Sequence, residues 1–306
     1  MAYTAGDTIL DSHYNGFVTS VNAIWGTGTG VRGLGQSTVL SAVSAGNTVT
    51  ASQWATLLTR LKSISSHQGN NGNITIDSVT NPSATDSIAI VANLATDIAT
   101  LDTSAAAGTN AAGFGSAIAD TAVVSGTFVN TITQTNTFTF ASTDEMRYYF
   151  NSGGKIAISW GVAGGTADAK YNEWTNLATE CGTYTLFGRT SGKVGGGGST
   201  PVQTTTGFDG LTGTPTSIFK QLENTGPYTA NYIQVNGSVS GAVLTFTSLW
   251  KDDAADSVSW NKAIYNVLDQ VDGSKTTTFT ASPAATTHIT ATWGSPTWST
   301  TVNSET

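Results

Sequence analysis

The chain has 306 residues, of which 20 are acidic and 12 basic, so its net charge at pH 7 is −8. A chain of this length with a mean hydropathy of −0.05 can bury a sizeable core, which excludes a disordered polypeptide. The scarcity of Lys and Arg argues against nucleic-acid binding, because that function depends on basic contacts to phosphate. Only 10% of the residues are charged, so hydroxyl and amide groups must hydrate the surface, which favours an assembly subunit over a free cytosolic enzyme.

Three amphipathic helices are predicted in the first third of the chain. The first begins at Asp7 or Thr8, ends at Gly26, and has apolar residues at Leu10, Tyr14, Phe17, Val21 and Ile24. The second begins with a capping box of Thr50 and Gln53, ends at Gly69, and has apolar residues at Trp54, Leu57, Leu58, Leu61 and Ile64. The third has the spacing of a helix that packs along a partner, with Ile88, Val91, Leu94, Ala95, Ile98 and Leu101.

A glycine pattern lies between the first two predicted helices. Gly28, Gly30 and Gly33 have the spacing of a dinucleotide-binding fingerprint. That fingerprint requires a strand before it and a helix after it, whereas here it follows a helix and leads into a loop of small residues. We therefore interpret the segment as a turn, and we predict no cofactor.

The composition changes after the third helix. Residues 103–126 are small, weakly periodic and almost uncharged, so we predict a connector there. This divides the chain into a helical docking or oligomerisation segment at 1–102, the connector, and a β-rich domain at 127–306. The predicted fold class is α+β, with an N-terminal helical segment followed by an antiparallel β-sandwich-like domain.

The β-rich domain is predicted from a change of period to two. Threonines occupy every second position from Thr131 to Thr139, and further strands are predicted at 184–187, 232–239, 243–250, 277–281 and 288–293. Helical spacing predicts two short helices, at 170–180 and 261–269. The four consecutive glycines from Gly195 predict a flexible loop, since glycines are costly to order without a partner that holds them.

The stretch from Met146 to Trp160 is the most informative in the chain. Aromatic residues are followed by Asn-Ser-Gly-Gly, and then Ile156, Ile158 and Trp160 alternate with smaller residues. A turn sequence between such segments predicts a β-hairpin.

The sequence RYYFNSGGKI within this stretch resembles sequences of structural proteins from tailed-phage virions, in particular those of marine and cyanobacterial myophages. Two other blocks resemble the same family, namely YTAGDTILDSHYNGFVTSVNAIWG with TASQWATLLTRLKSISSHQG, and GPYTANYIQVNGSVSGAVLTFTSLWKDDAADS with VDGSKTTTFTAS. The resemblance implies a non-enzymatic virion protein, and it marks as structural motif residues Arg147, Tyr148, Tyr149, Phe150, Asn151, Gly153 and Gly154. The glycine-rich insert near residue 195 departs from the family pattern.

Side chains that could carry chemistry do not form a recognisable catalytic or metal-binding motif. The three histidines are dispersed without metal-ligand spacing, no G-x-S-x-G elbow occurs, and the lone Cys181 is expected to be a half-buried small hydrophobe. Asp252, Asp253 and Asp256 either bind a cation or form a solvated acidic loop, and they lack the spacing of an EF-hand. We predict no catalytic, cofactor or metal site.

The tryptophans divide into two groups. Trp25, Trp54, Trp160 and Trp174 lie on apolar faces of predicted elements, so we expect them in the core. Trp293 and Trp298 lie in a Thr/Ser/Pro-rich context, where they either pack on an edge strand or form exposed contact aromatics for a subunit or a sugar ring.

The low charge predicts a subunit that associates through shape and through main-chain pairing at strand edges, and the resemblance implies that it is a repeated, non-enzymatic subunit of a phage tail, neck or fibre, which associates with itself and with other virion proteins. The alternative is a receptor-binding or glycan-binding protein of the tail tip, which would contact host surface glycan. A capsid decoration protein and a glycan depolymerase are further alternatives. The N-terminus lacks a basic region followed by an apolar run, so we expect no signal peptide, no membrane insertion and a location in the virion after synthesis in the host cytoplasm.

Overall fold

The structure is a computed structural model of the single chain, and it describes residues 9–26, 32–70, 73–83, 93–128, 130–254, 257–260, 263–266, 272–289 and 297–305. The fold is α+β, with N-terminal helices followed by two antiparallel sheets. The chain forms two compact units. Unit 1 comprises Met1–Ser116, Asp144–Gly154 and Pro283–Gly294, and unit 2 comprises Ala117–Thr143, Lys155–Ser282 and Ser295–Thr306.

Five α-helices occur among the described residues. They are α1 (Asp11–Trp25), α2 (Ala51–Gln68), α3 (Leu94–Ala107), α4 (Thr143–Asn151) and α5 (Ala169–Cys181). The predicted first and second helices and the later part of the third are confirmed by α1, α2 and α3. The predicted α1 start at Asp7 or Thr8, the α3 residues Ile88 and Val91, and Gly28 and Gly30 of the glycine pattern lie outside the described residues. None of the described helices is long and apolar enough to cross a membrane.

Helix α2 shows how local sequence determines an element in this chain. The Thr50 side chain accepts a hydrogen bond from the Gln53 amide at 3.2 Å, and the Gln53 side chain accepts one from the Thr50 amide at 2.9 Å. Gly69 ends the helix with a φ of 73°, which a residue without a side chain adopts at little cost. Between these caps, Trp54, Leu57, Leu58, Leu61 and Ile64 are all buried in the core of unit 1.

The predicted hairpin at 146–160 is wrong in its first half, which forms helix α4. Asp144 and Glu145 lie in the first helical turn, where negative charge is favourable to the helix dipole. Met146, Tyr149 and Phe150 are buried at helical spacing. Gly153 then turns the chain with a φ of 97°, and the predicted strand follows.

Thirteen strands occur among the described residues. They are β1 (Ile118–Val124), β2 (Thr131–Thr139), β3 (Lys155–Ala163), β4 (Thr183–Leu186), β5 (Ser191–Val194), β6 (Val202–Gln203), β7 (Thr216–Leu222), β8 (Tyr232–Ser240), β9 (Val243–Lys251), β10 (Ser257–Trp260), β11 (Ala263–Asn266), β12 (Ser274–Ser282) and β13 (Thr297–Glu305). One sheet has the order β1-β12-β3-β4-β5, another has the order β13-β2-β9-β8-β7-β6, and β10 pairs with β11.

The two large sheets face each other as a sandwich within unit 2. The Phe246 and Phe279 rings, one from each sheet, stack with centroids 6.3 Å apart, and the Trp160 indole donates to Ser248 Oγ at 3.0 Å. Gln134 is fully buried between the sheets, where its amide donates to the carbonyls of Ala122 at 3.1 Å and Lys275 at 3.2 Å. The predicted sandwich-like domain is therefore present, with polar groups in its core that are hydrogen-bonded.

Two other sequence interpretations differ from the structure. The predicted connector at 103–126 contains the end of α3 and the whole of β1, because its small residues suit both a helix terminus and a strand that pairs with β12. The helix predicted at 261–269 is wrong over the described residues Ala263–Asn266, which form β11. A window this short fits either period, and tertiary pairing with β10 decides it.

Candidate functional site

The predicted motif residues mainly hold unit 1 together. Arg147 lies 4.6 Å from the centroid of the Tyr148 ring and pairs with Asp144 at 3.1 Å. Asn151 is buried and donates to the carbonyl of Gly33 at 2.9 Å. Tyr148, Tyr149 and Phe150 are buried as well, while Gly153 and Gly154 allow close approach of Asn110 and Tyr149, respectively. The motif is thus a packing element of unit 1.

The predicted contact aromatics give no geometry for a binding site. Trp293 lies outside the described residues. Trp298 is on β13, where its backbone pairs with Phe138 of β2. Of the tryptophans expected in the core, Trp25, Trp54 and Trp174 are buried, whereas Trp160 is half-buried and stacks on Phe219 with centroids 5.1 Å apart.

One of the acidic residues after β9, Asp252, forms a buried ion pair with Lys170. Asp252 Oδ2 lies 2.6 Å from Lys170 Nζ, and both side chains are 1% exposed. Asp253 lies 3.5 Å from Lys251, and Asp256 is outside the described residues. In the described part of the chain, no group of three His, Cys, Asp or Glu side chains is placed to hold a metal ion.

The outer face of the six-stranded sheet is a regular array of hydroxyl groups, which we call the threonine face. Thr135 of β2 is opposite Thr247 of β9, with their hydroxyls 3.3 Å apart, and Thr137 is opposite Ser299 of β13 at 2.6 Å. The face comprises Thr131, Thr133, Thr135, Thr137, Thr139, Asn236, Ser238, Thr245, Thr247, Thr297, Ser299 and Thr301. The alternation predicted for β2 is confirmed, since its intervening residues are buried.

The threonines of β2 are tolerated because β2 is an inner strand of the six-stranded sheet, with a neighbour on each side. A β-branched residue suits the pleated backbone, and its hydroxyl can bond across the strand to a neighbour. The other large sheet shows the same chemistry on its outer side, where Thr121 and Thr278 place hydroxyls 3.4 Å apart. The sandwich therefore carries hydroxyl-rich surfaces of low charge on both sides.

The edges of the two large sheets approach each other in unit 2. The amide of Ser191 on β5 donates to the carbonyl of Thr205, just beyond β6, at 3.2 Å. At the opposite edges, Asp120 of β1 accepts hydrogen bonds from Asn136 of β2, at 2.8 Å, and from Thr300 of β13. The outer faces are consequently a larger candidate association surface than the strand edges that sequence analysis favoured.

A second feature of unit 2 is a group of carboxylates, Glu173, Glu180 and Glu223, which we call the glutamate cluster. Glu173 and Glu180 lie on α5 together with Asn176, and Glu223 follows β7. The Asn176 amide nitrogen lies 3.1 Å from Glu180 Oε1 and 3.1 Å from Glu223 Oε1. One amide group therefore bridges two carboxylates, both of which are buried.

The surroundings of Glu173 and Glu180 favour their protonated forms. Burial raises the pKa of Glu173 from 4.5 to about 7, opposed by a hydrogen bond from the Tyr228 amide and reinforced by the charge of Glu223. Burial, followed by the charge of Glu223, also raises the pKa of Glu180. Burial likewise raises the pKa of the adjacent Cys181 thiol, which is fully buried and therefore suited to packing rather than to nucleophilic chemistry.

The sequence contains a partial signal for this cluster, which the sequence analysis missed. Glu173, Asn176 and Glu180 are spaced to share one face of the helix predicted at 170–180. That spacing could have identified a polar stripe. The approach of Glu223, which belongs to a different element, depends on the tertiary fold.

Comparison of the chain with protein-family models, with curated proteins and with solved structures finds no match.

Proposed function

We propose that this chain is a non-enzymatic structural subunit of a tailed-phage virion, present in repeated copies in the tail, neck or fibre. The observation that carries the proposal is the threonine face, a regular, hydroxyl-rich surface with few charged residues. The resemblance of three sequence blocks to phage structural proteins supports the virion as its location. This function requires neither a metal site nor a catalytic residue.

Low charge suits the threonine face to contact with another copy of an acidic chain. A net charge of −8 opposes self-association, and that repulsion is smallest where the facing surfaces carry no charge. The middle of the threonine face carries hydroxyl and amide side chains, Val243 and Leu249 of β9 share the same side of the sheet, and Lys220 and Lys251 lie toward one end. Two such faces can exchange hydrogen bonds without leaving a charge buried.

The size of the face is appropriate for a stable contact. Four adjacent strands of the sheet, β13, β2, β9 and β8, each have nine residues. At about 4.8 Å between strands and about 3.4 Å per residue, they cover roughly 600 Å² in projection. A standard protein interface buries about 800 Å² per partner, so the face and its rim supply a surface of comparable extent.

Purified virions test the proposal directly. Mass spectrometry of particles from the phage that encodes this chain should detect it in many copies, and a density map should place the sandwich in the tail, neck or fibre. A protein present in only a few copies at the tail tip would favour the receptor-binding or glycan-binding alternative. Absence of the chain from purified particles would overturn the proposal.

A further inference from the structure

The buried pair Glu180 and Glu223 lies beneath a loop that the sequence predicted to be flexible. Residues 195–199, which we call the glycine loop, pass over the last turn of α5. The Gly197 amide donates to the carbonyl of Glu180 at 3.3 Å. Added Cβ atoms on Gly196 and Gly198 would clash with the Glu180 carbonyl oxygen and with Glu180 Oε2, respectively. Glycine is thus required where the loop contacts Glu180.

Other residues hold the same loop from the opposite side. The Lys193 ammonium donates to the Gly197 carbonyl at 2.7 Å and to Gln221 Oε1 at 3.0 Å. The Gln221 amide donates to the Ser199 carbonyl at 2.9 Å. The glycine loop is therefore held between α5 and the end of β7 by neutral contacts and one lysine.

The two carboxylates of the pair have different environments. Glu223 Oε1 accepts hydrogen bonds from Asn176, from the amides of Asn224 and Thr225, and from the Thr225 hydroxyl at 2.7 Å. Four donors therefore converge on one oxygen of Glu223. Glu180 Oε1 accepts from Asn176 alone and lies at the C-terminal end of a helix, where the dipole disfavours an anion.

Each carboxylate also keeps one buried oxygen, Glu180 Oε2 and Glu223 Oε2, that has no hydrogen-bond partner among the described residues. Their shared contact with Asn176 keeps the two groups within about 6 Å of each other, a range in which like charges repel strongly. The Lys193 ammonium donates to Gly197 and Gln221, and its charge lowers the pKa of Glu180 by less than burial and the charge of Glu223 raise it. The other ionisable groups facing the pair are Glu173 and Cys181, and neither supplies a positive charge.

We propose that Glu180 and Glu223 hold one proton between them in the folded chain, and that loss of this proton releases the glycine loop from α5. The proton resides on Glu180 and neutralises one of two adjacent buried carboxylates. When it leaves, Glu180 becomes an anion whose free oxygen is covered by Gly198, and hydration of that anion requires the loop to move away. Ionised Glu180 also attracts Lys193 away from the Gly197 carbonyl. The loop is thereby coupled to pH.

Hydrogen exchange of the Gly197 amide tests this coupling by NMR in the full chain. Intrinsic exchange rises about tenfold per pH unit, and an opening that releases one proton adds about a further tenfold per unit. While the pair holds its proton, the logarithm of the exchange rate should therefore rise with a slope of about 2 against pH. Glu180→Gln imitates the protonated side chain and should restore a slope of about 1, whereas the matched change Glu145→Gln on α4 should leave a slope of about 2. A slope of about 1 in the unmodified chain would overturn the proposal.

If Glu180→Gln does not fold, NMR titration of the Glu180 carboxyl group in the unmodified chain still tests the proposal. In the unmodified chain, the Glu180 carboxyl should titrate well above the ordinary range of glutamate. Glu223→Gln removes the adjacent negative charge and should lower the Glu180 midpoint. An ordinary Glu180 midpoint in the unmodified chain, or an unchanged midpoint in Glu223→Gln, would contradict the shared proton. Neither outcome bears on virion location, so the two proposals can fail separately.

Discussion

Lys170 and Asp252 form an ion pair inside unit 2, with Nζ 2.6 Å from Oδ2 and each side chain 1% exposed. Lys170 lies in the first turn of helix α5, and Asp252 directly follows β9. The lysine ammonium also lies 5.8 Å from the centroid of the Tyr228 ring, and the Asp252 amide donates to the Asn130 carbonyl at 2.8 Å. The pair thus connects α5 to the six-stranded sheet.

Breaking this ion pair should destabilise unit 2 strongly. Asp252→Asn leaves the Lys170 charge buried without its counterion, and we expect a loss of about 3–5 kcal/mol in the free energy of unfolding. Chemical denaturation monitored by tryptophan fluorescence measures this loss of unfolding free energy. The matched change Asp253→Asn, at a side chain that is 51% exposed, should cost less than about 1 kcal/mol. Equal losses in the two variants would show that Lys170–Asp252 is not a structural link.

The capping box of α2 should contribute measurably to the stability of unit 1. Thr50→Ala removes the acceptor for the Gln53 amide, and we expect a loss of about 0.5–2 kcal/mol in unfolding free energy. Thermal unfolding followed by circular dichroism provides the measurement. Thr56→Ala on the exposed side of the same helix is the control, because it removes a hydroxyl that caps no helix end. A loss as large in Thr56→Ala as in Thr50→Ala would contradict the capping role.

Glu173 should make the chain less stable as pH rises. Its folded-state pKa of about 7 is above the ordinary value of 4.5, so the folded chain binds more protons than the unfolded chain between these values. The unfolding free energy attributable to Glu173 is therefore highest below about pH 4.5 and declines as pH rises through about 7, by less than about 3 kcal/mol because water screens this partly exposed carboxyl.

Denaturation at a series of pH values measures this contribution. Glu173→Gln should flatten the decline and should be more stable than the unmodified chain at about pH 8. Glu145→Gln carries the same chemical change in unit 1 and serves as the control. A decline that persists unchanged in Glu173→Gln would assign the pH dependence to other groups.

The threonine face should tolerate hydroxyls but not charge. Thr247→Asp places a carboxylate near the middle of the face, where association would bury it, and we expect self-association to weaken by at least about 100-fold, or about 2.7 kcal/mol. Size-exclusion chromatography with light scattering would detect the change. Thr100→Asp on the exposed side of α3 adds the same charge elsewhere and should leave association intact. Equal weakening by both variants would indicate that overall charge, not this face, controls association.

Elements whose structure is determined by their own residues could be predicted accurately from the sequence. The capping box and Gly69 fixed the ends of α2, and strict alternation identified β2 and its threonines. The helix α4 was mistaken for a strand because Asn-Ser-Gly-Gly is a turn sequence for either element, and the buried face of α4 becomes evident only with its packing partners.

Features that depend on distant partners could not be predicted from the sequence. Asp252 was expected in a solvated loop or a cation site, because nothing local indicates that Lys170 will approach it. The glycine loop was expected to be flexible, yet Glu180, Lys193 and Gln221 hold it. In each case the sequence supplies a polar or flexible residue, and the tertiary fold supplies its partner.

Sedimentation of the purified full chain over a range of concentrations and salt tests the central claim most directly. If the threonine face joins copies of this chain, larger species should form as concentration rises. They should persist when ionic strength increases from about 0.1 M to 1 M, where the Debye length falls from about 10 Å to 3 Å, because the contact depends on hydroxyl and amide groups rather than on charge. A chain that stays monomeric at every concentration and salt level would contradict the claim.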